Sequence, residues 1–202
     1  LGTLHDQQPV LTSGAKVGDH ILVTKGIGLE GTAILASDFS KTALKLGLTE
    51  KDLDQAKQLM NLVSVIPEGV LLGKLGANAM HDVTRGGILE TLLEMASLSN
   101  VGIEIDYDRI PVTEIVSHFS ERFQFDPLKM ISSGTLVAAV PTARLETVRE
   151  GLKSQGTAFA DIGRVIAGSG VQILREGKTT HYEDIHPEED ELARMWTLYQ
   201  TD

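Results

Sequence analysis

The chain has 202 residues, 42% hydrophobic and 23% charged, the proportions of a folded globular protein rather than a disordered one. Lys and Arg number 18 against 28 Asp and Glu, a formal net charge of −10 with no basic run, which excludes a nucleic-acid groove built from clustered cations. There is no cysteine, so disulfides, thiolate-bound zinc, iron–sulfur centres and thiol catalysis are excluded as well.

In chain order, the polar stretch through residue 14, with Gly2, Pro9 and Gly14, is expected to be a linker, and the lead-in runs on to Val17. The apolar run Ile21-Leu22-Val23 predicts a buried strand ended by Gly26-Ile27-Gly28. Helical spacing from Leu29 to Leu46, stopped by Gly47, predicts the first helix. Thr49 with Asp52 forms a capping-box pattern and predicts a second helix through Leu62. Pro67 marks the start of a third, through Leu75. A short strand is expected at His81-Asp82-Val83, then a helix from Arg85 to Leu98 capped by Thr84. Val101 to Tyr107 alternates as a strand, Thr113 to Arg122 is helical, and Leu136 to Val140 is an apolar strand. A helix at Ala143–Gln155, strands at Ala158–Ile166 and Gly170–Leu174, and an amphipathic helix at Glu188–Tyr199 complete the pattern. Strands and helices intermix without a βαβ rhythm, so the predicted class is α+β, a mixed or antiparallel sheet flanked by helices in layers. No apolar run approaches the length of a membrane span, and no secretory signal is visible, so the expected location is the cytoplasm. The first residue is Leu1 rather than Met, which leads us to expect a fragment, a processed chain or an excised domain.

Two glycine motifs carry candidate chemistry. Gly26, Gly28 and Gly31 spell G-x-G-x-x-G after a strand. A dinucleotide site also needs a second strand ending in an acid about 20 residues on, and here that region continues a helix. Two readings stay open for the motif. Either Lys25 and the Gly26–Gly28 backbone face a ligand, or the glycines pack strand against helix. The second motif, His81-Asp82-Val83-Thr84-Arg85-Gly86-Gly87, places Gly86 and Gly87 in the expected first helical turn, where glycine is a poor helix former. One reason for such a pair is close approach of a ligand to free N–H groups. Arg85 can then add a bidentate contact to phosphate or carboxylate, and Asp82 can orient His81 or face a metal-bridged phosphate. The other reading is a tight turn in which Asp82 caps the helix and Arg85 pairs with a nearby acid. None of the six histidines has H-x-x-x-H or H-E-x-x-H spacing, so no metal ligands are expected in this chain. At the far end, Leu192, Met195, Trp196 and Tyr199 are expected to pack on the body.

Residues 81–96, from His-Asp-Val-Thr-Arg-Gly-Gly to Glu-Met-Ala, resemble the H-D-x-T-R-G-G signature of the AIR synthase superfamily, in the form carried by its hydrogenase-maturation HypE branch. Gly18-Asp19-His20-Ile21-Leu22-Val23-Thr24-Lys25-Gly26-Ile27-Gly28, followed by Glu30-Gly31, is similar to the opening of the same C-terminal domain. Ser133-Gly134-Thr135-Leu136 and Ile162-Gly163-Arg164-Val165 resemble its later strand motifs, so the likeness runs from about residue 15 to 175. The superfamily includes AIR synthase, selenophosphate synthetase, thiamine-monophosphate kinase and formylglycinamidine ribonucleotide synthetase. Its members use ATP to convert a carbonyl, amide or similar oxygen into a phosphate ester.

The resemblance implies residues 1–14 as a linker from an N-terminal ATP-binding domain, 15–176 as the C-terminal domain, and 177–202 as a helical extension. It implies ATP and Mg²⁺, held mainly by that N-terminal domain, a homodimer of the complete protein, and a maturation partner protein. Lys25, Gly26, Gly28, Asp82, Thr84, Arg85, Gly86 and Gly87 are the candidate residues for a nucleotide or small phosphorylated substrate, with His81 and Glu94 as catalytic candidates. Gly87, Glu90, Glu94 and Ser97 equally form the polar stripe of a solvated helix face. HypE carries its carbamoyl group on a C-terminal cysteine. This chain has none, so that step cannot occur on it, and a HypE-like branch with another substrate is expected. The alternative is a non-catalytic domain of the same fold that binds a partner through its C-terminal helix.

Overall fold

The computed structural model describes residues 9–184 and 190–199. The lead-in before residue 9, the expected helix start at Pro187-Glu188, and the last three residues lie outside them. The strands are β1 (His20–Thr24), β2 (Ala79–Asp82), β3 (Gly102–Asp106), β4 (Leu136–Val140), β5 (Phe159–Ile166), β6 (Val171–Arg175) and β7 (Lys178–Tyr182). The helices are α1 (Leu29–Asp38), α2 (Ser40–Lys45), α3 (Glu50–Gln58), α4 (Ile66–Leu75), α5 (Gly87–Ser99), α6 (Glu114–Phe123), α7 (Leu145–Gln155) and α8 (Glu191–Leu198). All seven strands form one sheet in the order β2-β4-β1-β5-β3-β6-β7. Every pairing is antiparallel except β3 with β6. The architecture is α+β, as the order of elements implies.

The central strands β1 and β4 are buried along their whole length, which explains their unbroken apolar runs. One face of the sheet, with Ile21, Val23, Ile103, Ile105, Val137 and Ala139, packs on Ile88, Leu89, Leu92 and Met95 of α5. The other face presents Leu22, Ala138 and Val140 to Leu72 of α4 and to Val148 and Leu152 of α7. A third cluster joins α1, α2, α3, α6 and α8 around Phe39, Phe119, Phe123 and Met195.

Several boundaries differ from the periodicity. The expected helix over Leu29–Leu46 breaks at Phe39, whose φ of −128° and ψ of 34° are not helical. Phe39 is fully buried, and the bend turns α2 back over the third cluster. The helix from Thr49 ends at Gln58, and Leu59–Leu62 tightens into a 3₁₀ turn. The Thr49–Asp52 capping box is present: Thr49 N–H donates to Asp52 at 2.8 Å, and Asp52 N–H donates to the Thr49 hydroxyl at 3.2 Å. Strand β7 lies in the stretch expected to be a helical extension; four of its five residues are polar and exposed, so no apolar pattern marks it, and only Tyr182 packs against the core. It is an edge strand held by its antiparallel ladder with β6. Among the described residues, no helix is long and apolar enough to cross a membrane.

Candidate active site

Strand β4 lies between β1 and β2 and runs antiparallel to both, so the C-terminal ends of β1 and β2 emerge at the same end of the sheet. The two glycine motifs are therefore neighbours, and Thr135, at the entry to β4, ties them together. Its carbonyl accepts the Val83 N–H at 2.9 Å, and its hydroxyl donates to the Gly26 carbonyl. Ser132 completes the stitch, with its hydroxyl 2.7 Å from that of Thr135 and accepting the Leu29 N–H at 3.1 Å. Both side chains are fully buried. In the sequence, Ser133–Leu136 stands out only as a motif. The signal for a positioning role was the run of hydroxyl residues just before a buried strand.

The glycines of the first motif pack closely against their neighbours. A Cβ on Gly26 would sit 3.1 Å from the Pro111 carbonyl oxygen. At Gly28, φ is 72°, and a Cβ would sit 2.9 Å from Val116. The Lys25 ammonium donates to the Leu62 and Ser64 carbonyls at 3.0 and 2.7 Å and pairs with buried Glu68 at 2.6 Å.

The second motif connects β2 to α5. Thr84 does not cap the helix. The N-cap position falls to Gly86 in a left-handed conformation, with φ 75°, and Gly87 follows at φ 68°. Two successive left-handed residues swing the chain round and start the helix two residues later than the pattern implied. The glycines are thus required by the backbone itself. They are required by packing as well: a Cβ on Gly86 would meet the Glu90 carboxylate at 1.6 Å, and one on Gly87 would meet the Leu128 carbonyl oxygen at 2.4 Å. Asp82, Thr84 and Arg85 are exposed at this turn.

The fold brings the two catalytic candidates together. His81 Nε2 lies 2.9 Å from Glu94 Oε2, and His81 Nδ1 lies 2.6 Å from the Asp82 carbonyl oxygen. Both neighbours accept hydrogen bonds, so a ring N–H of His81 can face the Glu94 carboxylate or the Asp82 carbonyl. Such a pair can deliver a proton or stabilise a developing oxyanion. His81 and Asp82 line one cavity of about 420 Å³ with Thr12, Val65, Met80 and Leu136. Glu94 lines another of about 490 Å³ with Glu90, Ser97, Glu183 and Asp184. The dyad stands between the two.

Burial pushes the Glu90 carboxyl above the usual carboxylate range, against the pull of the Arg85 charge and with help from Glu94, Asp190 and Asp184. Folded chain therefore binds this proton more tightly than unfolded chain, and stability falls as pH rises through the window between the two values. Glu90→Gln is expected to be no more stable than the parent at low pH, to gain relative to it as pH rises through that window, and to keep a constant advantage above it. Urea midpoints measured across pH test this; a difference that does not change with pH would contradict it.

Residues 16–175 match the model of the family described as "AIR synthase related protein, C-terminal domain". The chain belongs to this family. As an AIR synthase-type C-terminal domain it is 31% identical to the carbamoyl dehydratase HypE of Rhizobium leguminosarum bv. viciae over 169 residues, which cover 83% of this chain and 46% of that protein. The crystal structure of HypE from E. coli superposes with a TM-score of 0.70 at 29% identity, covering 86% of this chain and 51% of that one. HypE in its complex with HypF gives a TM-score of 0.67 at 26% identity, over 89% and 57% of the two chains. The chain spans about half the length of the curated relatives it matches. Among the described residues, no three His, Asp or Glu side chains converge as metal ligands.

Proposed function

We propose that this domain is the C-terminal half of the catalytic unit of a HypE-like ATP-dependent enzyme, which activates a carbonyl or amide oxygen of a small substrate by phosphorylation. The observation that carries the reading is the His81–Glu94 dyad at 2.9 Å, set beside the turn that carries Arg85. A phosphoryl-transfer site needs charge stabilisation and a placed proton more than covalent chemistry by the protein, and the dyad and the guanidinium provide both. Mg²⁺ neutralises phosphate charge in such reactions. The described residues offer no cation cage, so we assign its ligands, and most of the ATP contacts, to an N-terminal domain such as the relatives' extra length provides. The homodimer of the complete protein and a cytoplasmic location belong to the same reading. So does a maturation partner, by analogy with the HypE that was solved with HypF.

The rival reading, a partner docking on the C-terminal helix, has less support because α8 already packs on the body of the chain through part of its apolar surface, although Trp196 and Leu198 keep much of theirs exposed. Met195 is fully buried, Trp196 stands edge-on to Phe39 at 5.0 Å, and Tyr199 stands edge-on to Phe123 at 5.4 Å. Calorimetric titration of Mg-ATP, with the amino-terminal half of the Rhizobium relative added in trans, tests the enzyme reading. Binding is expected to require the added half, and Arg85→Ala should weaken it by roughly ten- to thirty-fold, the loss of about one charge-assisted contact. Equal binding by parent and variant would count against the proposal.

A further inference from the structure

Strand β2 stands at the edge of the sheet. Beside it lies the cavity of about 420 Å³ that His81 and Asp82 share with Thr12, Val65, Met80 and Leu136. Its apolar walls come from three elements: Val65 from the N-cap of α4, Met80 from β2 and Leu136 from the start of β4. Helix α4 lies directly against them, since a Cβ on Gly69 would stand 3.9 Å from Leu136 and one on Gly73 3.7 Å from Met80. Apolar surface continues outward at Ile66, the residue after Val65, which is 72% exposed. The charge of the lining is one-sided. Asp82 contributes a carboxylate, and among the described residues no Lys or Arg lines the cavity. Lys25, at the neighbouring strand end, is committed to Glu68.

We propose that this cavity binds the substrate itself, and that the substrate is an uncharged amide or carbonyl compound with an apolar substituent. The substituent lies against Val65, Met80 and Leu136, and the oxygen to be activated lies at His81. The inference rests on the phosphorylating reading given above and adds the substrate's class to it. Methylene groups placed on those three walls leave water, which favours binding. The Asp82 carboxylate and the Thr12 hydroxyl can accept N–H bonds from an amide. A phosphate or carboxylate in the same place would meet a like charge with no cation to offset it. The size agrees, because pockets for small ligands run from about 300 to 1,000 Å³ and are mostly apolar with a few placed polar groups. The other cavity beside the dyad carries the carboxylates of Glu90, Glu94, Glu183 and Asp184 and suits an uncharged apolar group less well.

Propanamide, butanamide and hexanamide, each titrated into the 202-residue chain, should move the His81 ring resonances in proton NMR, which His81→Gln identifies by their absence. Affinity should rise about fourfold per added methylene. Hexanoate matches hexanamide in length but carries a charge, and it should bind about tenfold more weakly. Val65→Ser removes one apolar wall and leaves α4 with a good N-cap residue, so the helix should survive it. In that variant the gain should fall to about twofold per methylene. Equal affinity for the three amides, or hexanoate bound as tightly as hexanamide, would overturn the substrate class. An unchanged dependence on length in Val65→Ser, or His81 resonances that no amide moves, would overturn the cavity as its site. Each of these results leaves the Mg-ATP titration untouched. Conversely, graded amide binding beside Mg-ATP binding that ignores Arg85→Ala would keep the amide pocket and sink the phosphorylating reading.

Discussion

Gly87→Ala is expected to lower the thermal midpoint by roughly 6–12 °C, about 3 kcal/mol for a chain of this size. Two costs add. The first is conformational: φ at Gly87 is 68°, which an L side chain adopts at about 1 kcal/mol. The second is steric. The new Cβ would stand 2.4 Å from the Leu128 carbonyl oxygen and 2.8 Å from the Lys129 carbonyl carbon. Backbone is in the way here, not the end of a flexible side chain. That backbone is also pinned, since Leu128 N–H donates to Asp126 Oδ1 at 3.0 Å and Lys129 N–H to the Asp126 carbonyl at 3.1 Å. Gly18 separates the two terms. Its φ is 94°, and a Cβ there would meet nothing within 4 Å. Gly18→Ala should therefore carry the conformational cost alone, about 1 kcal/mol. Differential scanning calorimetry of the two variants decides the matter. If they melt together, the steric account of the motif glycine is wrong.

Lys25→Met is expected to destabilise the fold by about 3–5 kcal/mol, because it strands a charge whose partner is buried. Glu68 is 3% exposed and its carboxylate lies 2.6 Å from the ammonium. The same ammonium satisfies the carbonyls of Leu62 and Ser64, which close the segment between the 3₁₀ turn and α4. Once it is gone, the carboxylate must stay charged without a partner or take up a proton, and two carbonyls need water. Lys25→Met with Glu68→Leu should recover most of the loss, since replacing both members of a buried pair by apolar groups is often neutral. Urea unfolding of the single and double variants gives the coupling directly. A single variant of near-parental stability that has lost nucleotide binding would restore Lys25 as a ligand residue and contradict the structural role argued here.

Much of this fold was legible in short stretches of chain. The Thr49–Asp52 box, the Gly47 helix stop and the apolar strands β1 and β4 are local signals, set by residues within a few positions of one another. The residues of the H-D-x-T-R-G-G string lie together at one end of the sheet, where β2 gives way to α5. His81 opens that string and Glu94 lies 13 residues on, and no local signal in the sequence says that they touch. The Phe39 break was hidden because its cause, burial against α6 and α8, is not encoded in the residues beside it. Strand β7 was hidden because an edge strand draws on its neighbour's ladder and needs no apolar pattern of its own.

The residues by themselves determined the class of the domain, most of its elements and the place of the motif, because propensity, periodicity and capping act over a turn or a strand. Only the tertiary structure decided what each polar group at that place is for. It turned Lys25 inward to Glu68, moved the helix start from Thr84 to Gly86, paired His81 with Glu94 and laid Asp190 on the motif turn. Buried donors and charges must find partners wherever the fold supplies them, and here those partners came from parts of the chain far away in sequence.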